Sequence, residues 1–419
     1  MPTLSLVRGR LLAPHPTEAR LTLHPDALVH IDAGGRITAV EAAPPGCTVP
    51  ETWPGTVLVP GFVDAHLHFP QTRVLGSASG PLLPWLQTSV FPEESRFGDR
   101  SYAEAVAAEF CAAMVRQGTT LAGIYSSSHP DATDALFAEL DRTGLRGLTG
   151  LTWMNRNAPD ALLRGTAETV AATEALVEKW HGRDDRLRVC VTPRFAISCD
   201  AEMMRAAADI AERHGLWVQT HLSENHDELA FTASLFPEAR DYLGVYEALG
   251  LVHERTILAH CIHLSDDEWA RLASRRAVVA HCPDSNFFLG SGCMPLARAL
   301  AAGVPVALGT DVGAGRTFSL RRVSASAYDA SLVVGAPVPP EVLLWQATRG
   351  GALALGAGDR MGCFAPGYDA DVVAIDAPAD ADAGRLVDAL LFNHDAGPAR
   401  ATVIRGQVRW GAAPPPLPR

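Results

Sequence analysis

The chain has 419 residues, of which 47% are hydrophobic and 20% charged, with a formal net charge of −12. That length holds one large α/β barrel or two average domains. The acidic balance argues against a nonspecific grip on nucleic acid or on an acidic membrane, and suits a small substrate arriving by diffusion.

Read from the N-terminus, "MPTLSLVRGRLLAP" lacks the apolar core of a signal peptide, and no run approaches the roughly 18 apolar residues of a membrane span. A cytoplasmic location is therefore expected. "LVRGRLLAP" and "ALVHIDAGGRITAVEAA" read as short β segments, with Gly34-Gly35 as a hairpin signal. From about residue 59 to 364, strands and helices alternate. "TTLAGIYSS" is strand-like, and "DATDALFAELDRTG" is a helix with a glycine stop. "LRGLTGLTW" and "LRVCVTPRF" are strands flanking a long amphipathic segment, "DALLRGTAETVAATEALVEKW". The helix "DAEMMRAAADIAERHG" leads into the strand "LWVQTHL". Then come "RTILAHC", the helix "DDEWARLASR", "AVVAHC", the helix "PLARALAAG" and "VPVALGTD". Alternation of this kind, with short loops, predicts a parallel sheet, and its length predicts a closed (β/α)8 barrel. "DADVVAID" and "ATVIRGQVRWG" return to short β segments. The expected architecture is thus a TIM-like (β/α)8 barrel over 59–364, with a small β-sandwich domain built from residues 1–58 and 365–419. The Pro-rich end "GAAPPPLPR" reads as frayed.

Several of these strands end in polar residues that an apolar strand does not need: His66 and His68 in "GFVDAHLH", then His221, His260 and Asp311. In a (β/α)8 barrel the carboxyl ends of the strands converge on the face where active sites are built. His66 and His68, two apart on one strand, point the same way. Each histidine taken singly also reads as a loop or core residue with a satisfied hydrogen bond. Four of them with an aspartate, all at strand ends, favour a metal site. Three imidazoles and a carboxylate suit zinc, with iron as the competitor, and leave a position for water. A two-metal site bridged by a carboxylated lysine needs a lysine at a strand end. The one lysine of the chain, Lys179, falls in a helical segment. Eight cysteines without a C-x-x-C pair indicate neither a disulfide framework nor a cysteine zinc cluster. Glu224, three residues after His221 in "HLSEN", reads as a charge or cap at a helix N-terminus and, next to a metal ligand, by preference as a proton shuttle. His281 and Cys282 follow another strand; with the ligand set complete they read as structural, with Asn286 shaping the loop. His129 in "SSSHPD" has an open loop or pocket role.

"PGFVDAHLH", "HLSEN", "LAHC" and "GTDVG" resemble the metal-dependent amidohydrolase superfamily across nearly the whole chain. Within it, "HFPQ", "PLLPWLQTSVFPEESRF", "MNRNAPD", "TPRFAIS", "HLSENHDE" and "HCPDSN" are similar to the guanine deaminases. The resemblance implies one zinc per subunit held by His66, His68, His221 and Asp311, with His260 on the attacking hydroxide. It implies purine recognition by Gln71, Arg194 and Phe195, and a homodimer. Read alone, Arg194 is better taken as a structural ion pair, Phe195 and Trp85 as core, and Gln71 as a loop hydrogen bond; with the match, Trp85 is expected to line the pocket. Asn155 stands in "MNRNAPD" where an aspartate would also fit.

The implied reaction is hydrolytic deamination of guanine to xanthine and ammonia, a hydrolysis at a cyclic amidine C–N bond. Glu224 and Asp311 would manage the protons, and His260 would steady the developing charge. The alternatives are deamination of a related aminated ring, such as 8-oxoguanine, another purine or an s-triazine, and a non-catalytic binding protein on the same barrel. The full ligand set weighs against the last.

Overall fold

The computed structural model describes residues 2–78, 80–393 and 397–411. The tail beyond Gly411, read above as frayed, lies outside the described residues. The chain opens with strands β1 (Leu6–Pro14), β2 (Leu21–Ile31), β3 (Ile37–Ala42) and β4 (Thr56–Pro60). The barrel strands follow: β5 (Phe62–His68), β6 (Thr119–Tyr125), β7 (Arg146–Gly150) with the short β8 (Thr152–Trp153), β9 (Leu187–Pro193), β10 (Trp217–Leu222), β11 (Thr256–His260), β12 (Val278–His281) and β13 (Val306–Leu308). β14 (Val372–Asp376), β15 (Ala401–Ile404) and β16 (Gln407–Gly411) close the chain.

Seven terminal strands form one mixed sheet in the order β16-β15-β14-β4-β1-β2-β3. Bridges between Thr3 and Gln407 and between Arg36 and Asp369 bring its two ends together. The sheet thereby folds over a core of its own, which includes Val7, Val29, Leu58, Val372 and Val403. The β2–β3 hairpin turns where the glycine pair predicts it. Gly35 has φ +78, and a Cβ there would sit 2.1 Å from the Arg405 carbonyl, so both conformation and space demand glycine.

Eight parallel strands run in the order β5-β6-β7-β9-β10-β11-β12-β13. Val63, Leu121, Leu148, Cys190, Ile257, Val278 and Ala307, one from each of seven of them, meet in a single apolar cluster. Only the interior of a barrel lets so many strands share one cluster. The seam between first and last strand is closed beyond β13: Asp311 N–H donates to the His66 carbonyl at 2.8 Å, and His68 N–H to the Val312 carbonyl at 2.7 Å.

The helices stop where their sequences predict. Pro130–Thr143 ends at Gly144 and Ala201–His214 at Gly215, both left-handed. Within the amphipathic segment from Asp160 the α-helix runs over Thr166–Trp180, with Gly165 at the N-cap in an extended conformation. One reading is corrected: the C-terminal part, read as short β segments, also contains a helix, Ala383–Phe392, capped by Asp382. Its Leu386, Val387, Leu390 and Leu391 join the apolar layer around the barrel.

Candidate active site

β5 slips in its pairing with β6 between Asp64 and Leu67. A bulge of this kind re-aims side chains, and beyond it His66 and His68 face the barrel mouth. Their Nε2 atoms lie 3.2 Å and 3.3 Å from Asp311 Oδ1, and His68 Nε2 is 3.3 Å from His221 Nε2. Asp311 and His260 both have positive φ, +50 and +75. These conformations, unusual for residues with a Cβ, sit where the chain turns out of β13 and β11. Gly309 makes the close approach possible: a Cβ there would lie 2.9 Å from both Cys282 Sγ and His66 Cβ.

The donor set fits a divalent cation. His66, His68 and His221 form one group whose ligand atoms lie within 4.8 Å of one another, and His66, His260 and Asp311 form a second. His66 Nε2 is buried with no hydrogen-bond partner, a costly state for a polar atom unless a ligand occupies it. His221 Nδ1 lies 2.6 Å from the Arg194 carbonyl. A carbonyl can only accept, so Nδ1 carries the proton and Nε2 keeps its lone pair. Burial lowers the basicity of all three imidazoles, His68 to about 3, and so keeps them in the neutral form that binds metal. Burial opposes ionisation of Asp311, but the adjoining imidazoles of His66 and His68 prevail and hold its carboxyl well below the usual range.

Two further groups face this cluster. Glu224 Oε2 lies 3.4 Å from His260 Nε2, and Ser291 Oγ lies 3.4 Å from Glu224 Oε1. The helix after it, His226–Leu235, is capped by Asn225 and Glu228 in a reciprocal capping box. The capping role open to Glu224 in the sequence is therefore taken by its neighbours. Burial, reinforced by Asp311 and Glu228, raises the Glu224 pKa well above the ordinary value. His260 Nδ1 is 3.0 Å from Asn286 Oδ1, and Ser285 Oγ donates to Asp311 Oδ2 at 2.5 Å. Asn286 thus orients a site histidine directly.

A pocket open to solvent lies over these groups. Gln71, Trp85, Arg194 and Phe195 all line it. The Trp85 indole N–H is spent on the Ser77 carbonyl at 2.9 Å, so the ring contributes an apolar surface. Leu82, Leu86, Leu289 and Ala314 extend that surface. Arg194 Nη1 lies 2.7 Å from Glu94 Oε2, and its guanidinium stacks 5.5 Å from the Phe91 ring. Gln71 Nε2 donates to Glu94 Oε1 at 3.1 Å, and Gln71 Oε1 accepts from Gly313 N–H at 3.2 Å. Few convergent polar groups on an apolar wall are what a small planar ligand requires.

Other marked residues stand apart from the cavity lining. Asn155 accepts from Asp200 N–H at 3.0 Å, at the start of the helix Ala201–His214. His129 pairs with Ser127 at 3.0 Å and occupies the N-cap of Pro130–Thr143. Lys179 lies in its helix as read, paired with Asp134 at 2.5 Å. His281 is buried with neither ring nitrogen hydrogen-bonded, and Cys282 is likewise buried. Two residues escaped the sequence reading. Glu94 belongs to an ordinary Glu-Glu pair whose only signal is its apolar surroundings. Tyr125, whose ring lies 4.6–4.9 Å from those of His66, His68 and His221, ends an unremarkable apolar strand.

The chain matches the amidohydrolase family over residues 57–409. It is 40% identical over 323 residues to guanine deaminase of Escherichia coli strain K12, covering 77% of this chain and 73% of that protein. The solved structure of E. coli guanine deaminase superposes with a TM-score of 0.91 at 34% identity, over 97% of this chain and 100% of that one. Guanine deaminase from C. acetobutylicum, solved with guanine bound in its active site, gives 0.88 at 30% identity over 96% and 99%. A barrel closed at Asp311, a metal-binding cluster at its mouth and this degree of likeness together place the chain in the amidohydrolase family and, within it, among the guanine deaminases.

Proposed function

We propose that the chain hydrolyses guanine to xanthine and ammonia. The catalytic unit is the barrel, residues 59–364, and the composite β unit of 1–58 and 365–419 supports it. The observation that carries the proposal is the juxtaposition of four metal-binding groups with a cavity whose polar wall is Gln71 and Arg194. His66, His68, His221 and Asp311 would hold one zinc ion, for which three imidazoles and a carboxylate are suited donors. A divalent cation held there supplies the Lewis acidity that makes water nucleophilic near neutral pH. Arg194 presents a guanidinium fork to a ring carbonyl, Gln71 an amide to the ring edge, and Phe195 and Trp85 the apolar walls. Asp311 accepts the proton of the attacking water. Glu224, whose protonated form burial favours, gives its proton to N3 as water adds at C2; the proton taken up by Asp311 then passes to the departing amino group, and the C2 hydroxyl proton returns to Glu224 as the carbonyl forms. His260, oriented by Asn286, faces both carboxylates and steadies the oxygen that becomes the new carbonyl. Among the described residues no helix is long and apolar enough to cross a membrane. A cytoplasmic homodimer completes the reading.

Ammonia release from guanine, 8-oxoguanine, adenine, cytosine and an s-triazine tests it. Guanine is expected to be hydrolysed fastest; failure on guanine with turnover of another ring would refute the assignment. Metal analysis of the same preparation is expected to give one zinc per chain, and light scattering a dimer.

A further inference from the structure

Resting on that reading of the pocket, we propose that Glu94 is a positioning residue that sets the polarity of the purine-recognition wall. Glu94 touches both of its polar members at once: Oε2 stands 2.7 Å from Arg194 Nη1, and Oε1 accepts from Gln71 Nε2 at 3.1 Å. All three side chains are buried.

A glutamine amide can turn end for end, exchanging donor for acceptor at little steric cost. A carboxylate can only accept, so Glu94 compels Gln71 to turn its NH2 inward and its oxygen toward Gly313 N–H, where it accepts at 3.2 Å. What remains for a ligand is one N–H and one lone pair at fixed places. The same carboxylate engages one nitrogen of the Arg194 fork. With Phe91 against the guanidinium face, the remaining donors point in one direction. The pair also leaves a wall of no net charge, which suits a neutral ring. Glu94 is not among the residues lining the cavity, so it acts through Gln71 and Arg194. The expected consequence is discrimination: fixed donors accept a ring carbonyl and reject an amino group in its place, because two donors would face each other in a buried site.

The test uses the metal-loaded protein and two purines that lack the 2-amino group. Hypoxanthine carries a carbonyl at position 6, and adenine an amino group there. Binding of each is measured by calorimetry to wild type, Glu94→Gln and Glu94→Asp, with thermal melting and metal content alongside. The wild type is expected to prefer hypoxanthine by about tenfold or more. Glu94→Gln keeps the size but can donate as well as accept, and the preference is expected to fall to within about threefold, with one metal per chain retained. Glu94→Asp keeps the charge but cannot span both partners, and an intermediate preference is expected; it also serves if the glutamine variant does not fold. Wild-type preference in either folded variant would overturn the positioning role while leaving the recognition reading intact. No preference in the wild type would overturn the Gln71–Arg194 reading, and the proposal with it.

Discussion

A carboxylate beside a metal-binding cluster does different work according to which form its surroundings favour. The imidazoles of His66 and His68 favour the ionised form of Asp311, whereas burial beside two other acids favours the protonated form of Glu224. Two carboxyl groups with pKa values pushed apart divide naturally into base and acid. Glu224→Gln is expected to keep one metal per chain and lose at least about a hundredfold in turnover, the scale of a lost general acid. Ammonia release and metal analysis check this, and near-full activity would remove Glu224 from the proton path. Asp311 and the four site histidines were readable from sequence because each breaks an apolar strand end. Glu94 was not, because adjacent glutamates on a short helix are ordinarily solvated. Nothing local tells that Gln71, 23 residues earlier, and Arg194, 100 residues later, close over one of them.

At the scale of the element, the seam between β5 and β13 positions half the site. Asp311 reaches His66 because the chain beyond β13 pairs with β5, and Gly309 lets the two backbones meet. Gly309→Ala would force a methyl into Cys282 and His66. It is expected to cost about 1–3 kcal/mol in stability and to weaken zinc binding, since the strain falls on a ligand-bearing strand. Urea unfolding and competition with a chelator measure the two effects. The helices at 131–143 and 201–214 were legible through their caps and periodicity. The helix Ala383–Phe392 was overlooked between two β-rich segments, although its apolar residues recur at helical spacing.

Across the whole molecule, buried charge ties the two sheets together. Arg146 on β7 is ion-paired with Asp369, just before β14, and Arg360 reaches the same carboxylate at 3.1 Å. Asp369→Asn is expected to cost about 3–5 kcal/mol, because it strands a buried guanidinium; chemical denaturation would show it. The fold also has an acid limit. Burial lowers the His281 pKa to about 3, while the unfolded chain takes up that proton near 6.5. The folded state therefore binds fewer protons below about pH 6.5, and stability falls as pH drops toward 3. Between pH 6.5 and 5 this one residue contributes a loss of about 2 kcal/mol. His281→Leu is expected to remove that share from the difference between unfolding curves at pH 7 and pH 5.

The sequence by itself determined the barrel, the composite β unit and the strand-end donors. Alternation, caps and a polar residue closing an apolar strand are local signals, and the common direction of parallel strands turns them into a shared face. Only the tertiary structure decided how the acids are placed. It assigned the cap after β10 to Asn225 and Glu228, freed Glu224 to face His260, and buried Glu94 between Gln71 and Arg194. Burial and pairing of charge depend on which distant segments meet when the barrel closes, and no pattern within a short window of sequence records that meeting.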